Sequence, residues 1–375
     1  MLRWSLFLLA LVSLLLALLT IVKSPDWSQW RLALLAGEYG HWLALLPGLI
    51  GLLAWSTRGP APGVAAATAL LCALALGLFV RPGLEAWKLG GALPGQRARQ
   101  FGPVPLARAP FSVRSLFGSS PATGPVETLV FAGDLSLDFY RAVGRPNAPC
   151  VLVLHGGGWD GGSRTELAHV NHWLARLGYA VAAIDYRLAP HSIWPAQRDD
   201  MLAALTYLQA HSAQLGLDPT RFVLFGRSAG GNLAEALAYT AHDPAVRGVI
   251  ALYAPADLQF AWDYAREDDV LKSPQLLRQF LGGPPAAAPA AYASSSGYRH
   301  VTPTSPPTLL VHGRLDTLVW HRQSERLAAR LADAHVPHVF VSLPWATHAF
   351  EFNLHGPGGQ LTTFSVEWFL AAVTR

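Results

Sequence analysis

Three uncharged, mostly apolar runs open the chain before any regular alternation of polar and apolar residues begins. They cover residues 4–22, 39–55 and 61–80. The first run consists almost entirely of Leu, Ala, Val, Phe and Ile, and it has about the length that a helix needs to span the hydrocarbon core of a bilayer. The second contains His41 and Pro47. The pattern predicts about three transmembrane helices, with buried soluble helices as the alternative for the second and third runs.

A globular pattern begins near residue 126, where short apolar runs alternate with longer amphipathic ones. Two short segments around Gly133 and Asp134 alternate like a β-hairpin. Apolar strands that alternate with helices indicate a mostly parallel, doubly wound sheet covered on both faces. The further strands are predicted at 150–154, 180–185, 221–225, 248–253, 308–312 and 338–343, and the helices at 164–177, 196–214, 229–241, 321–335 and 360–373.

We therefore predict a membrane region over residues 1–80 and a globular domain over residues 126–375. Residues 81–125, between them, are rich in Pro, Gly, Arg and Ser without a sustained period, and we expect a linker there. Within the globular domain, residues 256–306 interrupt the alternation of strands and helices. An excursion of this length between two core strands is typical of a lid, a binding wall or a disordered insertion.

Charge is scarce in this chain and unevenly distributed. The 375 residues include 28 Lys and Arg against 24 Asp and Glu, for a formal net charge of +4. The linker alone carries six basic residues and one acidic residue, so the remaining chain is close to neutral. A basic segment beside apolar helices suits anionic lipid headgroups, and no motif for nucleic-acid binding is present. We expect membrane lipids as partners and no nucleic acid.

The basic residues near the three runs also predict an orientation. Positive residues concentrate on the cytoplasmic side of membrane proteins. With three spans, Arg3 and Arg58 fall on one side, and a larger group falls on the side of the carboxyl-terminal domain: Lys23, Arg31, Arg81, Lys88, Arg97 and Arg99. The count predicts a multi-pass membrane protein with its carboxyl-terminal globular domain in the cytoplasm. The two cysteines, Cys72 and Cys150, lie in different segments and are not expected to pair.

A Gly-x-Ser-x-Gly pentapeptide lies where a predicted strand gives way to a predicted helix. Its residues are Gly226-Arg227-Ser228-Ala229-Gly230, directly after the apolar run that ends at Phe225. A sharp strand-to-helix turn crowds the serine against its neighbours, so small residues are needed two positions before and after it. The turn lifts the serine hydroxyl above the edge of the sheet. Ser228 is therefore the candidate nucleophile.

Two residues beyond the ends of later strands are candidate partners for Ser228. Asp316 follows the strand at 308–312, and His348 follows the strand at 338–343. A serine hydroxyl needs a base to remove its proton, and the base needs a carboxylate to orient it. Loops at the carboxyl ends of parallel strands gather at one edge of the sheet. The order Ser, Asp, His along the chain is the order of α/β-hydrolases.

The strand at 150–154 runs into His155 and three glycines, Gly156 to Gly158. Glycines let backbone N–H groups approach a substrate closely, as a developing oxyanion requires. Gly156, Gly157 and the amide of Ala229 are the predicted oxyanion donors. The run lacks the Lys-Ser/Thr ending and the Gly-x-Gly-x-x-Gly spacing of phosphate-binding loops. No His, Cys and carboxylate cluster has metal-ligand spacing, so we predict neither a metal nor a cofactor.

From about residue 126 the chain resembles the α/β-hydrolase superfamily and, more narrowly, the hormone-sensitive-lipase-like carboxylesterases, or bacterial family IV esterases. The resemblance departs from the family at Arg227, where Asp or Glu is common, and at His191, where Glu is common. The amino-terminal cap of many members is replaced here by the membrane region and linker. The matching motifs are His155-Gly156-Gly157-Gly158-Trp159, Asp185-Tyr186-Arg187-Leu188-Ala189-Pro190, Trp194-Pro195-Ala196 with Asp199-Asp200, Gly226 to Asn232, His312-Gly313-x-x-Asp316 and His348-Ala349-Phe350.

The resemblance implies a serine carboxylesterase that works through an acyl-enzyme, with Ser228, His348 and Asp316 as its triad. Together with the apolar runs, it predicts a membrane-anchored hydrolase of small-molecule or lipid-like esters. An amidase or formamidase with the same triad is the alternative within enzymes, and a non-catalytic ligand-binding protein of the same fold is the alternative outside them. We expect Asp185, Arg187, Asp199 and Asp200 to form structural ion pairs and His155 to brace its loop. The pattern leaves the oligomeric state open.

Overall fold

A single eight-stranded sheet forms the centre of the computed structural model, which describes residues 1–56, 59, 62–104, 106, 108–119 and 124–375. The strand order is β1-β2-β4-β3-β5-β6-β7-β8; β2 is antiparallel to both of its neighbours, β1 and β4, and all other neighbouring strands are parallel. The strands are β1 Glu127–Ala132, β2 Leu135–Tyr140, β3 Ala148–Leu154, β4 Ala180–Ile184, β5 Leu217–Arg227, β6 Val246–Leu252, β7 Thr308–Gly313 and β8 His338–Leu343.

Helices cover both faces of this sheet and form the amino-terminal region. They are α1 Leu2–Leu18, α2 Trp27–Glu38, α3 Gly40–Leu43, α4 Leu45–Ser56, α5 Pro62–Phe101, α6 Ala168–Arg176, α7 Ala196–Ala210, α8 Ser212–Leu215, α9 Ala229–Ala241, α10 Leu258–Tyr264, α11 Ser273–Leu281, α12 Pro289–Ser295, α13 Gly297–His300, α14 Arg322–Asp333 and α15 Pro357–Val373. Short 3₁₀ helices cover Arg114–Phe117 and Phe350–Phe352.

The predicted mostly parallel, doubly wound sheet is confirmed, and every predicted strand and helix of the domain overlaps an observed one. Alternate residues of a strand face opposite sides, and β3 shows why its run is fully apolar. Leu152 and Leu154 belong to the core on one face of the sheet, together with residues of α7, α9 and α14, whereas Val151 and Val153 belong to the core on the other face, together with residues of α6, α15 and the second half of α5. The sheet is thus buried on both faces.

The prediction of three transmembrane helices is wrong for the described residues. By length and composition, α5 is the one described helix that could cross a membrane. The run at 4–22 becomes α1, whose 17 residues extend about 25 Å, less than the roughly 30 Å of a hydrocarbon core. The run at 39–55 is divided at Ala44 into α3 and α4. Pro47 lacks the N–H that would bond to the carbonyl of Leu43, and its ring crowds that carbonyl.

Residues 81–101 are helical, although we expected them to begin an irregular linker. Helix α5 continues from the apolar run through Pro82 and Pro94 to Phe101, over 40 residues. Pro82 cannot donate to the carbonyl of Leu78. That carbonyl instead accepts a hydrogen bond from the Thr20 hydroxyl at 3.3 Å, and Arg81 donates to the Thr20 carbonyl at 3.0 Å. These contacts from the end of α1 support the helix where the sequence predicts its end.

The first half of α5 packs against α1 and α4, and its second half packs on the catalytic domain. The small apolar cores of the first group include Ala10, Ile50 and Cys72. Farther along α5, Ala86 and Leu93 join the core beneath the sheet. Arg58 and Ala61, which entered the predicted orientation and the predicted third span, lie outside the described residues. The proposed division of the chain at residue 80 falls inside one continuous helix.

Helix α2 joins this amino-terminal region to the domain through a buried carboxylate. Both oxygens of Glu38 accept hydrogen bonds from the first turn of α15, the shortest from the N–H of Gly358 at 2.9 Å. The Glu38 carbonyl accepts from the Asn353 side chain at 3.1 Å. A carboxylate beside exposed N–H groups at a helix start is favourably placed. Burial nevertheless raises the pKa of Glu38 to about 8, against the lowering effect of the Gly359 and Gly358 N–H groups.

The predicted insertion at 256–306 is largely helical and contains α10 to α13. Leu277, Phe280 and Tyr292 are buried in the main core. The Asn232 side chain of α9 donates to the carbonyls of Pro255 and Ser295, so both ends of the insertion are tied to the helix that follows the pentapeptide. Of the three predicted possibilities, these contacts favour a packed wall over a disordered segment.

Candidate active site

Ser228 stands between the last residue of β5 and the first residue of α9. Its backbone has φ 51° and ψ −121°, a conformation that L-residues rarely adopt and that is costly unless the surroundings enforce it. A Cβ atom at Gly226 would lie 2.1 Å from the carbonyl oxygen of Gly230, and one at Gly230 would lie 2.3 Å from the carbonyl oxygen of Leu154. The turn therefore requires both glycines, as the pattern predicts.

His348 and Asp316 are brought into direct contact in loops beyond β8 and β7. Nδ1 of His348 lies 2.7 Å from Oδ2 of Asp316, and both residues are buried. Oδ1 of Asp316 accepts from the N–H groups of Leu318 and Val319 at 2.8 and 2.9 Å. Burial alone would raise the pKa of Asp316, but the charges and hydrogen bonds of His348 and His312 hold it below its usual range. This carboxylate is held ionised and oriented.

His312 and His321, the other histidines of this region, have partners of their own. Nε2 of His312 lies 3.2 Å from Asp316, and its Nδ1 lies 2.8 Å from the Ser324 hydroxyl. His321 lies 2.9 Å from the Ser342 hydroxyl, and burial lowers its pKa to about 4. His312 thus contacts the same carboxylate oxygen, Oδ2 of Asp316, as His348 does. His348 lines the same cavity as Ser228, whereas neither His312 nor His321 lines that cavity.

Two cavities meet at Ser228. The first has a volume of about 450 Å³ and is lined by the insertion and the Asp316 loop, including Phe260, Leu276 and Trp320. The second, of about 490 Å³, is lined by His348, by the glycine loop and by residues of α2. Ser228 and His348 therefore face one common cavity, at the sheet edge where the sequence predicts them.

The glycine loop differs from the prediction at one of its three expected donors. The N–H of Gly156 donates to Oε2 of Glu166 at 2.8 Å, so it is already used within the protein. In the part of the chain that the structure describes, no acceptor is found for the N–H of Gly157. Ala229 is the first residue of α9, where an N–H has no partner inside the helix. An N–H that is already bonded is not free to donate to an oxyanion, so Gly157 and Ala229 remain as candidate donors.

His155 braces this loop, as predicted. Its Nδ1 lies 2.7 Å from the carbonyl of Gly156, and its ring stacks on Tyr186 with centroids 4.2 Å apart. The Tyr186 hydroxyl donates to the His155 carbonyl at 3.0 Å. Burial lowers the pKa of His155, which favours the neutral ring. These two hydrogen bonds and the stacking contact indicate a structural role for His155.

The predicted structural ion pairs around the site are also confirmed. Asp185 accepts from Arg164, which also contacts Asp138. Asp200 accepts from the side chain and the N–H of Arg187 at 2.8 Å. These pairs join β2, β4 and α7 to the loops beside the glycine run. Asp199 pairs with the neighbouring Arg198 at the surface.

A buried charge network behind Ser228 was missed by the sequence reasoning. Nε of Arg227 donates to Oε1 of Glu351 at 3.1 Å, and both side chains are almost completely buried. The Tyr253 hydroxyl donates to the same Glu351 oxygen, and the Tyr253 ring lies 4.1 Å from the ring of His348. Burial raises the pKa of Glu351, while the Arg227 charge lowers it. The sequence shows an Arg at position 227, where Asp or Glu is common in the family. Its partner Glu351 is 124 residues away along the chain, so the sequence pattern does not identify the pair.

In the described residues, no group of three or more His, Cys, Asp and Glu side chains is arranged to hold a metal ion.

Comparison with known proteins identifies relatives for most of the domain. Residues 137–331 match the BD-FAE family model. This matched range contains Ser228 and Asp316 and ends before His348. The chain is 30% identical over 285 residues to a probable carboxylic ester hydrolase, LipM, of Mycobacterium tuberculosis (strain ATCC 25618 / H37Rv), covering 68% of this chain and 66% of LipM. Esterase LipC of the same strain is 29% identical over 280 residues, covering 70% of this chain and 65% of LipC.

A solved structure described as bacterial heroin esterase has a TM-score of 0.58 and 25% identity, and the match covers 67% of this chain and 84% of that one. The esterase of Pyrobaculum calidifontis, at 23% identity and a TM-score of 0.57, has the same fold. The chain thus matches less than two thirds of the length of the two curated relatives and most of the length of the solved structures.

Proposed function

This chain belongs to the BD-FAE family and has the α/β-hydrolase fold, and from that premise we propose that it is a membrane-anchored serine carboxylesterase. The observation that supports the proposal most is the 2.7 Å contact between His348 and Asp316, next to a cavity that His348 shares with Ser228. The names of the relatives, carboxylic ester hydrolase and esterase, agree with it.

In the first half of the proposed reaction, Oγ of Ser228 forms a bond to the carbonyl carbon of an ester. Its proton passes to Nε2 of His348, whose positive charge Asp316 stabilises. The carbonyl oxygen becomes an oxyanion, and the N–H groups of Gly157 and Ala229 donate to it. The bond to the alcohol oxygen then breaks. His348 gives its proton to that oxygen, so an alcohol leaves and an acyl-enzyme remains.

In the second half, water replaces the alcohol. His348 takes a proton from the water as its oxygen bonds to the acyl carbon, and the same two N–H groups stabilise the second oxyanion. When the bond to Ser228 breaks, His348 returns the proton to Oγ. The products are one carboxylic acid and one alcohol for each water consumed, and no cofactor takes part.

Covalent labelling by a fluorophosphonate tests the serine directly. We expect the purified full chain in detergent to be labelled and Ser228→Ala to lose all labelling at an unchanged thermal unfolding midpoint. Hydrolysis of p-nitrophenyl butanoate should be lost in parallel. Absence of labelling in the folded wild-type protein would contradict the proposal. A matched butyranilide separates an esterase from an amidase, because we expect the ester to be cleaved far faster.

We propose that the first half of α5 crosses a membrane, with α1 and α4 packed against it. Three features support this: α5 is long and apolar enough to cross a bilayer, large apolar side chains of all three helices face outward, and Arg81 lies where this group meets the domain. The outward side chains include Leu8, Val12, Leu15, Leu49, Leu52, Leu70 and Leu74. An exposed apolar surface of this extent is typical of a membrane contact. We place the catalytic domain on the cytoplasmic side, because Arg81 and Lys88 flank the apolar half of α5 on the side of the domain.

A further inference from the structure

Of the two cavities at Ser228, only the second is lined by His348. We use this difference to decide which part of the ester each cavity holds. The following inference rests on the proposed esterase function. His348 lines the second cavity, and the base must later donate its proton to the oxygen of the departing alcohol. The alcohol part of the ester therefore occupies the second cavity, which we call the leaving-group cavity. The first cavity remains for the acyl part.

One wall of the leaving-group cavity comes from the amino-terminal region. Trp27 and Trp30 of α2 line it together with Leu276 and Leu318 of the catalytic domain. The two tryptophans are three residues apart and so share one face of the helix. Their rings contact edge to face, with centroids 5.3 Å apart and an interplanar angle of 89°. About two hundred residues separate this aromatic pair from Ser228 along the chain.

The wall is fixed to the loop that carries His348. Glu38, at the end of α2, accepts from the N–H groups of Gly358 and Gly359 and lies 3.4 Å from Nε1 of Trp345. Trp345 is three residues before His348. A Cβ atom at Gly37 would lie 3.7 Å from the Trp345 ring, so α2 packs directly on this loop. The tryptophans thus keep a defined position relative to the base.

Trp27 and Trp30 give this wall its apolar surface, because both residues line the cavity. Aromatic rings offer a large apolar surface to an alkyl or aryl group.

We propose that α2 is a specificity wall of the active site, which selects esters of large apolar alcohols. The rings of Trp27 and Trp30 pack against the apolar part of the alcohol. The amino-terminal region therefore takes part in substrate choice in addition to anchoring the protein.

Two butanoate esters, methyl and n-heptyl, test this proposal with the full chain in detergent. kcat/KM is measured for the wild type, Trp30→Ala, Trp30→Phe and the control Trp87→Ala, an exposed tryptophan of α5. Fluorophosphonate labelling of every variant is measured in parallel.

We expect Trp30→Ala to lower the heptyl-to-methyl ratio of kcat/KM about tenfold, since a large apolar contact is lost. We expect Trp30→Phe to keep most of that ratio, because an aromatic ring still lines the cavity. Trp87→Ala should leave the ratio as in the wild type. A heptyl-to-methyl ratio unchanged in Trp30→Ala, with labelling intact, would overturn the specificity wall. A wild type that is neither labelled nor active would overturn the esterase function instead.

Discussion

Arg227, the residue before Ser228, carries a positive charge into the protein interior. Its guanidinium lies 4.8 Å from the ring of Phe225 and pairs with Glu351, which is itself held by Tyr253. A buried ion pair gains little net stability, because both charges have lost their hydration. The Arg227–Glu351 pair matters more for the two segments that it holds together. It joins the turn that carries Ser228 to the 3₁₀ helix after His348.

Removing one member of this pair should cost much more than removing both. We expect Arg227→Met to lower the free energy of unfolding by about 3 kcal/mol, because Glu351 is left buried without a counter-charge. The double variant with Glu351→Met should recover at least about half of that loss. Denaturant unfolding of the wild type, Arg227→Met, Glu351→Met and the double variant measures these free energies as a double-mutant cycle.

Arg266 provides the matched control, since it pairs with Asp268 at the surface. Exposed ion pairs contribute little, so Arg266→Met should leave the unfolding midpoint nearly unchanged. A double variant of Arg227 and Glu351 that is less stable than Arg227→Met alone would contradict the argument from burial.

At the scale of elements, the positions of two helices depend on contacts that their own sequences do not predict. Helix α5 passes Pro82 because Thr20 donates to the carbonyl that Pro82 leaves unpaired. Helix α2 is joined to α15 by Glu38, a carboxylate that is almost completely buried. In both cases a residue distant in sequence supplies the partner. The amino-terminal helices and the catalytic domain are consequently tied together at several points.

The Glu38 contact predicts a pH dependence of stability. Its pKa is about 8 in the folded protein, against an ordinary value of 4.5. The folded state therefore binds the proton more tightly than the unfolded state, and the resulting stabilisation, complete below pH 4.5, is lost as the pH rises through 8. Glu38→Gln removes this titration. Between pH 5 and pH 8, the thermal midpoint of the wild type should fall by a few degrees more than that of Glu38→Gln. Parallel pH profiles of the two proteins would contradict the prediction.

At the scale of the whole molecule, α5 connects the apolar helices to the domain without a break. Its 40 residues correspond to about 60 Å, twice the thickness of a hydrocarbon core. One half packs with α1 and α4, and the other packs with α15 beneath the sheet. Arg81 marks the transition, where it meets the end of α1. The domain, with α2 seated on it, is thereby held close to the surface of the membrane that we propose.

The orientation of the domain can be tested with a single introduced cysteine. Ala332 lies at the exposed surface of α14, whereas the native Cys72 and Cys150 are buried and should react slowly. If the domain is cytoplasmic, Ala332→Cys should react with a membrane-impermeant maleimide only after the cells are broken. Labelling of intact cells would place the domain outside, and recovery of the protein in the soluble fraction after an alkaline carbonate wash would contradict the anchor.

The sequence alone determined the elements whose signals are local. Fully apolar runs of strand length predict the parallel sheet, and loops beyond their carboxyl ends predict where Ser228, Asp316 and His348 lie. The glycines around Ser228 predict its turn, because steric crowding there involves only near neighbours. These inferences hold because strand period, helix period and turn sterics depend on residues a few positions apart.

Tertiary structure decided what depends on partners distant in sequence. Glu166 occupies the N–H of Gly156, Glu351 neutralises Arg227, and Thr20 allows α5 to pass Pro82. Helix α2 packs on the domain because Glu38 accepts a hydrogen bond from α15, more than three hundred residues away along the chain. The position of the wall formed by Trp27 and Trp30 depends on the same contact. Hydrogen bonds and ion pairs are satisfied by whichever group lies nearest in space, and periodicity in the sequence does not identify that group.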